Sequence, residues 1–236
     1  LGSGRTAKVI VAGGSHTCAL LDNFAIKCWG LNDSGQLGQN DLDSRGDSSG
    51  EMGDNLDVID LRSPGRTAAS ITTGARHTCV LLDDNNTKCW GYGEYGQLGR
   101  GEKKIERKPP EEVLDLGTGR TATAIATGDS HTCAILDNES IKCWGANASG
   151  QLGLGDTDNR GDESSEMGDT LLAVDLGSGR TARAIAAGDN HTCAILDNAS
   201  IKCWGSNTAG QLGIGNTSNR GDNSSGMGDN LPVISL

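Results

Sequence analysis

Aromatic side chains are scarce in this sequence: they make up 3% of 236 residues, with one Phe, two Tyr and four Trp. A core built on stacked aromatic rings is therefore excluded, and Val, Ile, Leu and Ala must carry most of the burial. Proline occurs four times, and no stretch combines helical periodicity with helix caps, so long helices are not expected. Nor is there a run of about 18 apolar residues, so no membrane-spanning helix is expected. Basic charge is also in deficit: the formal net charge is −11. Phosphate-backbone binding needs a basic face, so nucleic acid is not an expected partner. Leu1 is not preceded by an initiator Met or by a charged-then-apolar leader. The expectation is that a secretory signal has been removed, or that the chain is a piece of something longer.

What the chain does contain is one stretch repeated four times. In its third copy it reads His131-Thr132-Cys133-Ala134-Ile135-Leu136-Asp137-Asn138-Glu139-Ser140-Ile141-Lys142-Cys143-Trp144-Gly145, followed by Gly150-Gln151-Leu152-Gly153. The other copies begin at His16, His77 and His191, with spacings of 61, 54 and 60 residues. Periods of this length mark solenoids and propellers. By phase the units are 1–60, 61–115, 116–175 and 176–236, the second being divergent.

Each copy reads as a hairpin. In the first, residues alternate from His16 to Leu21, Asp22-Asn23 turns the chain, and Ala25 to Trp29 returns with period two. Asn23, Asn138 and Asn198 suit a turn position that needs a left-handed backbone, with Asp84 in the second copy. A turn centred on Asn23 sets Leu20 opposite Ile26 and Cys18 opposite Cys28. Opposed strand residues lie about 4.5–5.5 Å apart at Cβ, within disulfide reach. The expected pairs are therefore Cys18–Cys28, Cys79–Cys89, Cys133–Cys143 and Cys193–Cys203, one local rule selecting among on the order of a hundred connectivities. Zinc is the rival, but its ligand pairs usually sit about two to four residues apart, and these sit ten apart. Trp29, Trp90, Trp144 and Trp204 follow the second cysteine and so point to the opposite strand face. They read as packing between neighbouring units.

A unit holds four expected strands: residues 7–12, two from the hairpin, and a fourth after a long loop at 56–61, or 171–176 in the third copy. Four-stranded antiparallel units in tandem are what propeller blades look like. The expected fold is all-β, a propeller or propeller segment of four such blades with one cross-strand disulfide each. The chain starts and stops at the same phase of the repeat, Leu236 standing where another copy would begin. Three outcomes follow: a closed ring of four, an assembly of several chains, or an excerpt from a longer array.

The run Gly-x-x-His-Thr-Cys-Ala-x-x-Asp, Lys-Cys-Trp-Gly-x-Asn and Gly-Gln-Leu-Gly-x-Gly resembles the blade motif of the regulator of chromosome condensation family. Here it appears as Gly128, His131, Thr132, Ala134, Trp144, Gly145, Asn147, Gly150, Gln151, Leu152, Gly153 and Gly155. All four copies carry its core, with departures at Tyr92-Gly93 and Tyr95. The resemblance implies a β-propeller of a family whose members form seven blades. It implies function only broadly, since such propellers serve as exchange factors, enzyme inhibitors and scaffolds.

Several residues stand out as candidate sites. Polar inserts at 41–55, 156–170 and 216–230 hold Asp41, Asp43, Asp47, Asp156, Asp158, Asp162, Asp169 and Asp222, oxygen ligands in Gly-containing loops that suit calcium. They are not EF-hands, because Arg160 and Met167 occupy ligand positions. The alternative is that these residues cap turns and pair with Arg160. The same inserts contain Arg45-Gly46-Asp47, Arg160-Gly161-Asp162 and Arg220-Gly221-Asp222, which match an adhesion tripeptide. The four histidines sit at equivalent strand starts, where such a side chain more often hydrogen-bonds backbone at the blade edge; the alternative is that a closed ring brings the four imidazoles into one layer to bind a metal. Asn32, Asn85, Asn138, Asn147, Asn198, Asn216 and Asn223 head glycosylation sequons. The second copy replaces the insert with residues 101–112; Tyr92 and Tyr95 beside it, with Lys103 and Lys104, form a candidate partner surface.

No nucleophile, base and electrophilic stabiliser converge outside the repeat, so enzymatic activity is not expected. Paired cysteines point to an oxidising compartment, hence an extracellular or cell-surface location. The expected function is an extracellular scaffold with no required cofactor, self-assembling into a ring, fibre or surface layer through the open sheet edges of its terminal blades, at strands 8–12 and 232–236. The alternative is a secreted module binding a protein or glycan through loops between blades.

Overall fold

A computed structural model describes residues 1–235. Twelve strands form four antiparallel sheets of three: β1 Ala7–Ala12, β2 His16–Leu21 and β3 Ile26–Gly30; β4 Ala68–Thr73, β5 His77–Leu82 and β6 Thr87–Gly91; β7 Ala122–Thr127, β8 His131–Leu136 and β9 Ile141–Gly145; β10 Ala182–Ala187, β11 His191–Leu196 and β12 Ile201–Gly205. The only helical turns among the described residues are three-residue 3₁₀ pieces at Gly53–Asn55, Gly168–Thr170 and Gly228–Asn230. Each first strand carries a bulge at the same place, at Lys8 between Ala7 and Val9 in the first sheet, which increases local twist.

The hairpins form in the expected register, with Leu20 opposite Ile26 and Cys18 opposite Cys28. All four cysteine pairs are disulfides joining opposed residues. The turn differs from expectation. Leu21 N–H donates to Ala25 O and Phe24 N–H donates to Leu21 O, which is a three-residue loop. Its left-handed residue is not Asn23 but the next one: Phe24, Asn85, Glu139 and Ala199, with φ of 63–66°. Such loops place the left-handed residue last, after a type I turn. Asn23 instead accepts a hydrogen bond from Ala25 N–H at its side-chain oxygen, as Asn138 and Asn198 do from Ser140 and Ser200.

The expected fourth strand is not one. Its place is taken by two separate contacts along the third strand: Arg45 bridges Gly30, and Ile59 N–H donates to Ile26 O at 2.9 Å. Val174 repeats the second contact on Ile141, and Ile234 on Ile201. The polar insert leaves the sheet between the two contacts, so a continuous ladder cannot form. Of the expected closing run 232–236, Leu236 lies outside the described residues.

No sheet has a core of its own. The apolar clusters lie between sheets: Cys79, Leu81, Cys89 and Leu98 of the second blade pack on Ala122, Ala134, Leu136 and Trp144 of the third. The first and second blades, and the third and fourth, meet in the same way. Adjacent strand residues face opposite ways, so Cys28 and Trp29 send their side chains to opposite faces. The disulfide face of each blade therefore looks toward the following blade and the Trp face toward the preceding one. Truncating a buried leucine in such a seam, Leu98 or Leu152, removes packing worth about 2–5 kcal/mol. An isolated repeat has no such seam, so stability comes from stacking.

Candidate functional site

Each seam carries a repeated polar clamp inside its apolar cluster. His77 Nε2 lies 3.0 Å from Thr132 Oγ1, which donates to Gln97 O at 2.9 Å, and Trp144 Nε1 donates to the same carbonyl at 3.0 Å. His and Gln come from one blade, Thr and Trp from the next. His16, Thr78, Gln36 and Trp90 form the first clamp, and His131, Thr192, Gln151 and Trp204 the third, with equal geometry. Because the hydroxyl donates to the carbonyl, it accepts from the imidazole, which fixes the Nε2–H tautomer by its partner. The Nδ1 atoms of His16, His77 and His131 are buried without a partner. Burial lowers the pKa to about 4 for His16 and to about 3 for His77 and His131, the latter two assisted by neighbouring histidines. These imidazoles are neutral at physiological pH. The Gly128 before His131 has no room for a Cβ, which would collide with the imidazole and with Gly188 O. The histidines make neither the backbone bond at the blade edge nor the alternative metal-binding ring: three are committed to threonine hydroxyls of the next blade, and no cluster of three metal-ligating side chains occurs among the described residues.

Both end blades present an unmatched half of this clamp. Trp90, Trp144 and Trp204 are fully buried, whereas Trp29 is half-buried and Thr17 is partly open. Ile10 is 66% exposed where its equivalent Ile71 is 5%. At the other end, Ile195 is 42% exposed where Ile135 is 3%, and Gln211 is exposed where Gln36, Gln97 and Gln151 are buried. What lies open is a sheet face on each side. The sequence pointed instead to strand edges at 8–12 and 232–236, because the direction of stacking cannot be read before the sheets are built.

The loops place the other candidates. Asp41 Oδ2 pairs with Arg45 at 2.7 Å, while its Oδ1 accepts from Asn32 and from Asp43 N–H. Asp156 repeats this with Arg160, Asn147 and Asp158. Asp162 pairs with Lys103 of the neighbouring blade at 3.2 Å. Asp169 is bonded to Thr118 N–H and hydroxyl, which lowers its carboxyl pKa. Asp222 accepts from Asn223, and Asp47 stands beside Glu51, whose carboxylate accepts from Gly46 and Ser48 N–H. The structure thus engages the carboxylates of Asp41, Asp156, Asp162 and Asp169 in holding their loops, and it does not bring three of the eight together. Arg160-Gly161-Asp162 lies against Gly96 in a seam, with Gly161 buried, so this copy is not a free loop tip. Asn32 and Asn147 are fully buried, each accepting from a backbone N–H five residues on and donating to Asp41 or Asp156, which removes two sequons from the surface. The other five sequon asparagines are exposed.

Tyr92 and Tyr95 are brought together, edge to face with centroids 6.0 Å apart. Arg76 lies 5.6 Å over the Tyr92 ring and pairs with Asp33 of the first blade. Tyr95 is 43% exposed, and burial together with Tyr95 raises the Tyr92 hydroxyl pKa. The backbone of Lys104 packs on Gly93 beside this pair, while the Lys104 ammonium pairs with Glu106 at 2.8 Å and with Glu102. The glutamate hydrogen bonds raise the Lys104 pKa.

Sequence reasoning missed four buried lysines. Lys88 is fully buried and donates to four backbone carbonyls, those of Leu61, Arg62, Pro110 and Glu111. Lys142 bonds Leu116 O and Gly168 O, Lys202 bonds Leu176 O and Gly228 O, and Lys27 bonds Gly53 O. Each ammonium pins an outer loop, and for all but Lys27 also the run leading into its own unit. Burial lowers the pKa of Lys88, Lys142 and Lys202. The signal was present: a Lys before Cys in every copy, on the disulfide-free face of a strand that is otherwise apolar.

Comparison with known proteins agrees with this architecture. The regulator of chromosome condensation (RCC1) repeat pattern matches residues 8–36, 68–97, 122–151 and 182–211, one span per sheet, and a second pattern of the same description matches 89–135 and 143–195. The ultraviolet-B receptor UVR8 of Arabidopsis thaliana is 33% identical over 218 residues, covering 92% of this chain and 45% of UVR8. The probable E3 ubiquitin-protein ligase HERC6 of Homo sapiens is 28% identical over 86% of this chain and 18% of its own length. The chain thus spans less than half the length of either relative. Among solved structures, Prp20p from Saccharomyces cerevisiae superposes with a TM-score of 0.65 at 21% identity, over 89% of this chain and 46% of that one. Human WBSCR16 gives 0.57 at 17% identity, covering 98% and 68%. The chain belongs to the regulator of chromosome condensation (RCC1) repeat family of β-propellers.

Proposed function

We propose that the chain is a non-enzymatic, extracellular scaffold whose two terminal blade faces each accept another blade of the same repeat. One observation carries this: the first blade presents Thr17 and Trp29, and the last presents His191 and the Gln211 carbonyl, the two halves of the clamp that closes every internal seam. The faces are complementary, so a second copy placed head to tail would build a fourth seam like the other three. Four disulfides support an oxidising location. One protein of this fold engages other proteins: yeast RCC1 (Prp20) is seen bound to Kap60 and is described with binding to Gsp1p and histones. The Tyr92 and Tyr95 pair favours a second reading, in which the divergent blade holds a distinct protein partner, because an exposed aromatic pair makes a compact interface anchor.

Light scattering of the non-reduced protein over a range of concentrations tests both. Concentration-dependent multiples of 24.3 kDa, abolished by Trp29→Ala and unchanged by Tyr92→Ala with Tyr95→Ala, are expected from seam completion. A single 24.3 kDa species at every concentration would overturn it and leave the tyrosine surface as the leading reading.

A further inference from the structure

The first seam departs from the other two on the side where the hairpins turn, opposite the His ends of the strands. In the second seam Ala122 N–H donates to Asn85 O of the preceding turn at 3.1 Å, and in the third Ala182 N–H donates to Glu139 O at 2.9 Å. The equivalent bond, from Ala68 to Phe24, is not made. The run leading into the second blade is one residue longer, Arg62-Ser63-Pro64-Gly65 standing where the third has Gly117-Thr118-Gly119. The aspartate that caps this run elsewhere, Asp169 on Thr118 and Asp229 on Ser178, is replaced by Pro109-Pro110. The seam consequently gapes, leaving a cavity of about 730 Å³ open to solvent.

Its lining is unlike the rest of the surface. Phe24, the one phenylalanine in the chain, stands at the left-handed turn position with φ 66°, where the other units have Asn, Glu and Ala. A bulky residue there is strained, and strain of this kind is retained at ligand clamps when something else requires the side chain. Phe24 is 44% exposed, with Lys8 Nζ 3.7 Å from its ring centroid. Around it stand Asn23, Asp60, Arg62, Arg66 and Glu111. Arg62 pairs with Glu111, and Arg66 pairs with Asp84 at 3.0 Å, so each guanidinium is held in place and its charge is balanced.

We propose that this cavity binds a neutral oligosaccharide. Lys8 covers one face of the Phe24 ring but does not line the cavity, so the other face offers a stacking surface for the apolar face of a sugar ring, and planar amide, guanidinium and carboxylate groups fixed by their own pairs offer donors and acceptors to hydroxyls. Balanced charge gives no attraction to an anion or a cation. A broad open cavity with few convergent polar groups suits a ligand gripped by orientation more than by enclosure. The site does not depend on the terminal faces, since it lies at an internal seam.

The test is an NMR-observed titration of the intact chain with cellohexaose, chitohexaose, mannohexaose and xylohexaose. At least one is expected to bind, with shifts centred on the turn at Phe24. Phe24→Asn places at this position the residue that the second unit already uses in the same conformation, so the fold is retained. It should weaken binding about tenfold or more while the melting temperature holds or rises. Ala199→Asn, at the equivalent turn of the fourth blade, should leave binding unchanged. Absence of binding by all four sugars, equal affinity in the Phe24→Asn protein, or capture of peptides in place of sugars would each overturn the proposal.

Discussion

Replacing Thr132 by Val removes one hydroxyl from the middle seam and leaves strand geometry alone, because both residues are β-branched. Three consequences follow from the clamp. The Thr132 bond to Gln97 O is lost, and the bond from His77 Nε2–H is lost with it. The imidazole donor is then buried without a partner, and changing tautomer offers no escape because Nδ1 has none either. Two net hydrogen bonds are worth about 1 kcal/mol each, and a stranded buried donor costs about 1–3 kcal/mol. The new methyl returns up to about 1 kcal/mol of apolar burial. Trp144 still donates to Gln97 O, which limits the damage at that carbonyl. The expected net loss is about 2–3 kcal/mol, or a melting temperature lower by about 5–10 °C for a chain of this size. Thr17→Val makes the same chemical change in the first blade, where no preceding blade supplies the partners, and should cost less than about 0.5 kcal/mol in dilute, monomeric protein. Urea unfolding of both variants without reductant measures the difference. Equal losses, or a Thr132→Val loss under about 0.5 kcal/mol, would show that the clamp does not hold the seam.

Acid should weaken the protein through the same histidines. Their folded pKa values, about 4 for His16 and about 3 for His77 and His131, lie below the ordinary histidine value of 6.5. The unfolded chain therefore takes up protons first, so stability present above pH 6.5 is withdrawn as the pH falls toward the folded values. At pH 5 the loss is about 2 kcal/mol for each histidine, an upper figure for the three together if their protonation is coupled. Imidazole NMR titrations showing His77 or His131 ionising near 6.5 in the folded protein would contradict this. Mild reduction should be selective. Cys18–Cys28, Cys79–Cys89 and Cys133–Cys143 are sealed in seams, while Cys193 is partly open on the last face, so alkylation and mass spectrometry should find Cys193 and Cys203 labelled first. Simultaneous labelling of all eight cysteines would mean that the seams open as readily as the end face.

The repeated hairpin was legible because local rules determine it. Period-two alternation, a turn and opposed cysteines require nothing beyond about fifteen residues, and the pairing of Cys133 with Cys143 follows from them. The fourth strand was misread because Leu56–Leu61 has the composition of a strand, yet whether it forms a ladder depends on where the polar insert releases it. That is a tertiary fact. The left-handed turn residue was misplaced by one, since Asn23 is the better intrinsic candidate and Phe24 adopts the conformation against its own preference. The buried lysines escaped notice for a related reason. Lys142 looks like a solvent-facing strand residue until loop 168–170 is folded over it, and only then do Leu116 O and Gly168 O converge on the ammonium.

The candidate sites divide along the same line. Most of the histidines and several of the loop aspartates singled out for their own chemistry are bound by partners that hold the fold: Arg160 for Asp156, Thr132 for His77. In a repeat protein any residue present in every unit has a structural reason to be there, because each unit must close the same seam. Functional candidates should therefore be sought where the repeat is broken without a structural gain. Phe24 satisfies this test: it is unique, half-exposed and strained, and the seam bond that its turn would make is absent. Tyr92 and Tyr95 satisfy it as well, replacing Ala146 and Ser149 of the third unit with an aromatic pair that fills no core. The two departures lie at opposite ends of the hairpins in adjoining blades, one at the turn of β2 and β3 and the other just past β6. Phe24→Asn should therefore leave the tyrosine surface intact, and Tyr92→Ala with Tyr95→Ala should leave the sugar-induced shifts at Phe24 unchanged; a change in both sites from either variant would join them into one.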